Sequence, residues 1–186
     1  MARPREFDPE TALKGATDVF WRQGYKATNM PDLLRAMGLT RGSFYKAFRD
    51  KESTYLRALD FYDTHVLSGA VARLDACGGP DTWTCLAPLF KGPADGRWGC
   101  FICNAMVERA PDSPAVAART NAMAARLRDA IAGVLRRSGA GRPGEDPAET
   151  ADLILHLYFG HQAIGRAGAA GADWAARLRH LLGGAR

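Results

Sequence analysis

Apolar residues recur along this chain at intervals of three and four residues, the spacing that places side chains on one face of an α-helix. The clearest case follows Asp50, where Tyr55, Leu59, Tyr62 and Val66 form one continuous apolar stripe. No stretch shows the alternation of apolar and polar residues that is typical of a half-buried strand. Glycine, proline and capping residues interrupt the helical pattern at several points. We therefore predict an all-α fold of about nine helices.

Breaks in the apolar pattern give approximate bounds for each predicted helix. The ranges are 10–24, 29–37, 40–48, 50–76, 82–90, 99–110, 114–137, 147–166 and 173–182. Residues 91–97 and 138–146 are rich in glycine and proline, and we expect them to form a loop and a linker.

Residues 28–52 combine two short predicted helices with a sharp turn. Asn29 and Thr40 are residue types that cap the amino termini of helices, and Asp32 follows Asn29 by three residues. Gly38 supplies the positive φ that ends one helix and turns the chain into the next. The first turns of the second helix carry short, hydroxylated or cationic residues: Arg41, Gly42, Ser43, Tyr45 and Lys46. The pattern predicts a helix-turn-helix whose second helix enters the major groove of DNA.

A wider set of spaced positions agrees with one known family. These positions are residues 20–28 (FWRQGYKAT), Leu33, residues 38–45 (GLTRGSFY), Phe48, Lys51 and Glu52. Together they resemble the amino-terminal domain of TetR-type (tetracycline-repressor-like) regulators, and the resemblance covers about residues 9–60. Pro31 departs from the pattern but is tolerated in the first turn of a helix. Lys46-Ala47 stands where the family often has an aromatic residue or histidine, so no base preference is carried over.

The resemblance implies a DNA-binding transcriptional regulator. The simplest form is a repressor that a small molecule, electrophile or oxidant releases from a palindromic operator by pivoting the fourth helix. It implies groove contacts by Thr40, Arg41, Ser43 and Lys46, with close backbone approach at Gly42. It also implies phosphate contacts by the following residues: Tyr25, Asn29, Tyr45 and Lys51. Residues 1–50 would be the helix-turn-helix domain, and residues 51–186 a helical ligand-binding and dimerisation domain.

Charge and composition agree with this interpretation. Of the 186 residues, 47% are hydrophobic and 24% charged, which is typical of a folded globular protein. The net charge is +5, and residues 22–51 alone hold seven lysines and arginines against two aspartates. Clustered positive charge suits a phosphate-facing surface. No apolar run approaches the ~20 residues that span a bilayer, and the amino terminus lacks the apolar core of a secretory signal. We expect no membrane association and a cytoplasmic protein.

The last two predicted helices offer a surface for pairing. Leu153, Leu157, Gly160 and Ile164 share one face of the first helix, and the second carries a similar stripe: Trp174, Leu178, Leu181 and Leu182. Both faces could instead be buried within one subunit. The resemblance implies that they form a four-helix interface with a second copy, and a two-fold dimer suits a two-fold operator. We expect a homodimer.

Aromatic, methionine and polar residues between the motif and the dimer helices suggest a pocket for an effector. The candidate ligand-binding residues are Tyr62, His65, Trp98, Cys100, Phe101, Asn104, Met123, Tyr158 and Gln162, with Phe90 and Met106 as further lining. Residues of these types at helical spacing are also common in a plain core, so that alternative stays open.

Four cysteines lie within 27 residues: Cys77, Cys85, Cys100 and Cys103. A disulfide is not expected in the cytoplasm, and the spacing is poor for zinc. Cys100 follows Gly99 at a predicted helix start near Arg97, where the helix dipole favours a thiolate. The Gly99-Cys100 pair is similar to a subset of TetR-type regulators that sense oxidants or electrophiles through this cysteine. Buried packing thiols are the alternative.

An enzyme is the competing class of function. Cys100 and Cys103 could perform redox turnover, but a CxxC redox motif belongs beside a βαβ unit and no strand is predicted. The sequence shows no phosphate loop, no histidine pair at metal-ligand spacing and no converging acid, base and nucleophile. We therefore expect no catalytic residues, no cofactor and no bound metal.

Overall fold

The computed structural model describes residues 7–78, 82–90, 98–139, 146–168 and 177. Within those ranges the regular secondary structure is helical and no strand is present. The α-helices are α1 (Pro9–Gln23), α2 (Met30–Met37), α3 (Arg41–Phe48), α4 (Lys51–Tyr62), α5 (Ser68–Ala76), α6 (Thr82–Phe90), α7 (Phe101–Glu108), α8 (Pro114–Ser138) and α9 (Pro147–Arg166). A 3₁₀ turn, Ala110–Asp112, precedes α8. The all-α prediction is confirmed, while the last predicted helix, with Trp174, Leu178, Leu181 and Leu182, lies outside the described residues.

A π-helical turn, Asp63–Leu67, joins α4 to α5 and changes which residues face the core. The sequence predicts one helix whose apolar stripe runs from Tyr55 to Val66. A π turn inserts one extra residue, so the buried position moves from Val66 to Leu67. Val66 is 38% exposed, whereas Leu67 is 3% exposed. The predicted stripe assumed regular helical spacing, which the π turn interrupts at Asp63–Leu67.

Helices α1 to α3 form a small unit that packs on α4. Ala12, Ala16 and Phe20 are buried on one face of α1, and the Phe20 ring meets the edge of Tyr55 on α4 with centroids 5.0 Å apart. A Cβ at Gly15 would collide with the carbonyl oxygen of Ala36, so α1 and α2 cross at a distance that only glycine permits. These contacts fix the motif relative to the longer helices.

The longest helix, α8, organises the rest of the fold. It contacts α4, α5, α6, α7 and α9. Its buried residues recur at helical spacing and include Val116, Met123, Leu127, Ile131 and Leu135. None of the helices in the described ranges is long and apolar enough to cross a membrane.

A disulfide joins Cys77, at the carboxyl end of α5, to Cys85 in α6. The sequence-based expectation that these cysteines are unpaired is therefore wrong. That expectation rested on the predicted cytoplasmic location, where disulfides are rare. It did not consider that the fold brings the end of α5 next to α6. Cys100 and Cys103 are free thiols.

Candidate nucleic-acid interface and effector cavity

The helix-turn-helix forms through local hydrogen bonds that its sequence encodes. The Asn29 side-chain oxygen accepts a hydrogen bond from the Asp32 N–H at 2.8 Å, and Thr40 Oγ1 accepts one from the Ser43 N–H at 3.2 Å. Gly38 has φ 65°, the left-handed conformation that ends α2. The predicted caps and turn are confirmed.

Helix α3 divides its residues between the core and the solvent. Phe44 and Phe48 are buried, while four of the residues predicted at the groove, Thr40, Arg41, Gly42 and Lys46, are exposed, as is Tyr45, which is predicted to contact a phosphate. Ser43 is half-buried, and its hydroxyl accepts a hydrogen bond from the Thr40 hydroxyl at 3.0 Å. No atom lies within 4 Å of a Cβ built at Gly42, so the backbone there is open to a partner.

Tyr25 lies beside two cationic side chains. The Lys51 ammonium is 4.3 Å and the Arg109 guanidinium 4.4 Å from the centre of the Tyr25 ring. Burial, and a hydrogen bond to Glu52, raise the pKa of Tyr25 to about 12, so the phenol keeps its proton at neutral pH. Its single proton is donated to the Glu52 carboxylate in the free chain, so a contact with a DNA phosphate requires the hydroxyl to exchange this partner. Asn29, the remaining predicted phosphate contact, is exposed at the start of α2.

The segment after α1 is held by residues that sequence reasoning missed. Glu108, at the end of α7, accepts hydrogen bonds from the backbone N–H groups of Tyr25 and Lys26 at 2.8 and 2.7 Å. The next residue, Arg109, pairs with Glu52 at 2.9 Å. These partners are more than 50 positions apart in sequence, and no local pattern could have connected them.

Arg166, near the end of α9, contacts the carboxyl end of α1. Its guanidinium donates to the backbone oxygens of Trp21 and Arg22, both at 3.2 Å. Free carbonyls at a helix end carry partial negative charge, which suits a cation. The Trp21 indole N–H donates in turn to the Gly99 oxygen at 2.9 Å.

A cavity of about 400 Å³ lies beside Trp21 of α1, within the larger bundle formed by α4 to α9. Its wall is mostly apolar, with a few hydroxyl, amide and guanidinium groups. The described lining residues are Trp21, Tyr62, Val66, Leu67, Ala70, Arg73, Leu74, Cys77, Thr84, Cys85, Pro88, Leu89, Gly99, Ile102, Leu127, Tyr158 and Gln162. The size and composition are those of a small-molecule site.

Three of the nine candidate ligand-binding residues lie on this wall: Tyr62, Tyr158 and Gln162. His65 points elsewhere, because the π turn carries it to the surface, where it stacks on Phe61 and approaches Glu10 at 3.8 Å. His65 is therefore not part of this cavity's wall, and its role in ligand binding stays a prediction.

The other five candidates support the cavity without lining it. Phe101 and Met123 are buried in the core, 1% and 2% exposed. The Asn104 amide donates to the Trp98 backbone oxygen at 2.9 Å, and the Trp98 ring packs edge-on against Trp21. These four residues lie outside the lining of this cavity, because helical spacing alone does not separate a wall from the layer behind it, and their role in ligand binding stays a prediction.

Cys100 is buried behind the wall rather than presented to it. It occupies the N-cap position of α7 and is 2% exposed. Burial raises the pKa of the Cys100 thiol, although the hydroxyls of Tyr158 and Tyr62 bond to its sulfur. The expected thiolate is therefore wrong, because desolvation outweighs the helix start, while a role of Cys100 in ligand binding stays a prediction. Arg97, the expected cationic neighbour, lies outside the described residues.

Thiol labelling tests this arrangement. In protein purified without reductant, we expect Cys77 and Cys85 to stay unmodified by iodoacetamide and Cys103 to react before Cys100. Burial raises the pKa of Cys103 to about 11, which leaves roughly a hundredfold fewer thiolates than a thiol with its usual pKa. After reduction, the half-exposed Cys77 should react first, as mapped by mass spectrometry. Fastest labelling at Cys100 would contradict this order.

The outer face of α9 is the candidate pairing surface. Leu153 and Ile164 are 50% and 55% exposed in the single chain, Gly160 is exposed and Leu157 is half-buried. The alternative that this face is buried within one subunit is wrong for Leu153 and Ile164. An exposed apolar stripe of this kind is typical of an interaction surface.

Known proteins share both the motif and the whole fold. Residues 12–57 match the family model described as bacterial regulatory proteins, tetR family. The chain is 30% identical over 163 residues to the HTH-type transcriptional regulator YezE of Bacillus subtilis, covering 84% of each chain. It is 33% identical over 121 residues to the HTH-type transcriptional repressor ComR of Escherichia coli, covering 62% of this chain and 57% of ComR.

A solved structure adds a comparison over nearly the full length. A cysteine mutant of the TetR family transcriptional regulator CifR, complexed with 26-base-pair double-strand operator DNA, superposes with a TM-score of 0.78 at 26% identity. The match covers 97% of this chain and 96% of CifR.

Proposed function

This chain belongs to the TetR family of bacterial regulatory proteins, and we propose that it represses transcription from a palindromic operator until a small molecule releases it. It is a DNA-binding transcriptional regulator. The observation that carries the proposal is the exposed face of α3. Phe44 and Phe48 anchor this helix in the core, and its opposite face leaves the following residues open to solvent: Arg41, Gly42, Tyr45 and Lys46. ComR is named as a repressor and CifR binds operator DNA, which supports the same role here.

In the proposed complex, α3 lies in the major groove. Arg41, Lys46 and Ser43 contact base edges together with Thr40, and Gly42 allows the backbone to approach. Phosphates are held by a second group of residues: Tyr25, Asn29, Tyr45 and Lys51. We divide the chain at about residue 50, with operator recognition before it and effector binding and dimerisation after it.

Pairing through α9 gives the complex its symmetry. Two copies joined by the exposed stripe of Leu153, Gly160 and Ile164 present two α3 helices related by a two-fold axis. A palindromic site has the same symmetry, so one dimer reads both half-sites.

The cavity receives the effector. Its mostly apolar wall, with the Tyr62 and Tyr158 hydroxyls and the Gln162 amide, suits a small, largely apolar molecule with one or two polar groups. Binding there pivots α4, to which Tyr62 belongs, and changes the separation of the two α3 helices. We place the protein in the cytoplasm, where operator DNA is.

A redox enzyme using Cys100 and Cys103 has no comparable support. Burial raises the pKa of both thiols, and the relatives named above are transcriptional regulators. Among the residues with described positions, no group of three or more histidine, cysteine or acidic side chains could hold a metal ion. We propose that the chain has no enzymatic activity.

In vitro transcription tests the proposed function. The template is the DNA upstream of the chain's own coding region, with a promoter lacking the palindrome as the control. We expect added protein to reduce the first transcript severalfold and leave the second unchanged. Equal effects on both templates, or an increased transcript, would contradict repression.

A further inference from the structure

The segment between α1 and α2 is held against α7 by a carboxylate that binds two of its backbone N–H groups. Glu108 Oε2 accepts a hydrogen bond from the Tyr25 N–H at 2.8 Å, and Glu108 Oε1 accepts one from the Lys26 N–H at 2.7 Å. Hydrogen bonds to an ionised acceptor are about twice as strong as neutral ones. One side chain therefore fixes two consecutive peptide groups.

Gly24 is adapted to this contact. Its φ of 86° is one that side chains rarely permit, and a Cβ there would lie 2.8 Å from Glu108 Oε2. The Thr28 hydroxyl donates to the Gly24 oxygen at 2.6 Å, which closes the segment against the start of α2. The backbone path from Gly24 to Thr28 thus depends on both glycine and the carboxylate.

Glu108 occupies a position where a carboxylate is otherwise unfavourable. It is the last residue of α7, and the carboxyl end of a helix carries partial negative charge. The two N–H groups of Tyr25 and Lys26 compensate this repulsion. The presence of an acidic residue at this helix end is therefore explained by its hydrogen bonds to Tyr25 and Lys26 and not by the stability of α7.

We propose that Glu108 is a positioning residue for operator binding: it orients the Tyr25–Lys26 backbone so that the Tyr25 hydroxyl can exchange Glu52 for a DNA phosphate. Tyr25 is fixed on the other side by Lys51 and Arg109, which approach its ring. The inference rests on the proposed function, because it assigns Tyr25 to the phosphate backbone. We expect no direct contact between Glu108 and DNA, because a carboxylate is repelled by phosphate.

The direction in which Glu108→Gln changes operator affinity distinguishes a positioning role from a purely electrostatic one. Replacing Glu108 by glutamine removes a negative charge near the DNA-binding surface, and charge alone would then strengthen binding to the polyanion. A glutamine has only one acceptor oxygen and would turn its NH₂ group toward an N–H donor. Positioning therefore predicts weaker binding, the opposite of the electrostatic effect.

The test compares Glu108→Gln with the parent chain on the operator across a range of salt concentrations. Glu149→Gln, at an exposed position in the first turn of α9, is the matched control. We expect Glu108→Gln to bind about tenfold more weakly. Because the protonated Tyr25 hydroxyl carries no charge and releases no counterions, the salt slope should stay close to that of the parent chain. The control should bind as the parent does.

Amide hydrogen exchange on the free protein gives a second readout. The Tyr25 and Lys26 amides should exchange faster in Glu108→Gln, while those of Ala16 and Phe20 in α1 stay protected. Equal or tighter DNA binding, or weaker binding with unchanged exchange of the Tyr25 and Lys26 amides, would overturn the inference alone. A parent chain that binds no operator would overturn both the proposed function and this inference.

Discussion

Leu153→Glu and Ile164→Glu are expected to convert the dimer into monomers and to lower operator affinity at least a hundredfold. Both side chains are about half exposed in the single chain, so a carboxylate there stays hydrated in the monomer. In the dimer it would be buried without a partner, which costs several kcal/mol. A monomer also contacts only one half-site. Light scattering at micromolar concentration and operator titration measure the two effects.

Val107→Glu is the matched control for the oligomeric state. Val107 is 77% exposed and lies on α7, not on α9. It introduces the same carboxylate at an exposed apolar position, and we expect it to remain dimeric. Circular dichroism should show unchanged helix content for all three variants. Dimers that persist in both α9 variants would place the interface elsewhere.

Salt should weaken operator binding steeply. If each subunit neutralises about four phosphates, the logarithm of the affinity falls against the logarithm of salt with a slope of about −7. Between about 50 and 200 mM salt, binding then weakens roughly ten-thousandfold. The physical reason is the release of counterions by the cations of the motif, among them Arg41, Lys46 and Lys51. Fluorescence anisotropy with a labelled operator measures the slope.

Two alanine variants distinguish contacts with phosphates from contacts with bases. Lys51→Ala should weaken all DNA sequences similarly and reduce the magnitude of the slope, whereas Arg41→Ala should also relax discrimination at particular base pairs. Arg136→Ala, in the last turn of α8, removes the same charge outside the motif and should leave the slope unchanged. A slope near zero for the parent chain would contradict phosphate-dominated binding.

Local features of the motif could be predicted because short-range physics determines them. Asn29, Gly38 and Thr40 each act within four residues, through a cap or a left-handed turn. The alternation of Phe44 and Phe48 with exposed residues follows from helical spacing. The same reasoning gives most helix bounds and the exposed stripe of α9.

Features that depend on distant contacts could not be predicted. Glu108 contacts Tyr25 and Lys26, which lie 83 and 82 positions away in the sequence. The π turn Asp63–Leu67 shifts which helix positions face the core, and we recognised no sequence signal for it. Cys100 shows the limit most clearly. Its place at a helix start favours a thiolate, but its burial, which only the packed fold determines, raises the pKa.

A stoichiometric titration of the chain with a palindromic duplex from its own upstream DNA tests the central claim most directly. At about 100 mM salt, specific binding should far exceed binding to a scrambled duplex of equal length. The account predicts saturation at two chains per palindrome, and loss of the preference in Arg41→Ala. Equal affinity for the scrambled duplex, or saturation at one chain per palindrome, would contradict a dimer that reads DNA with α3.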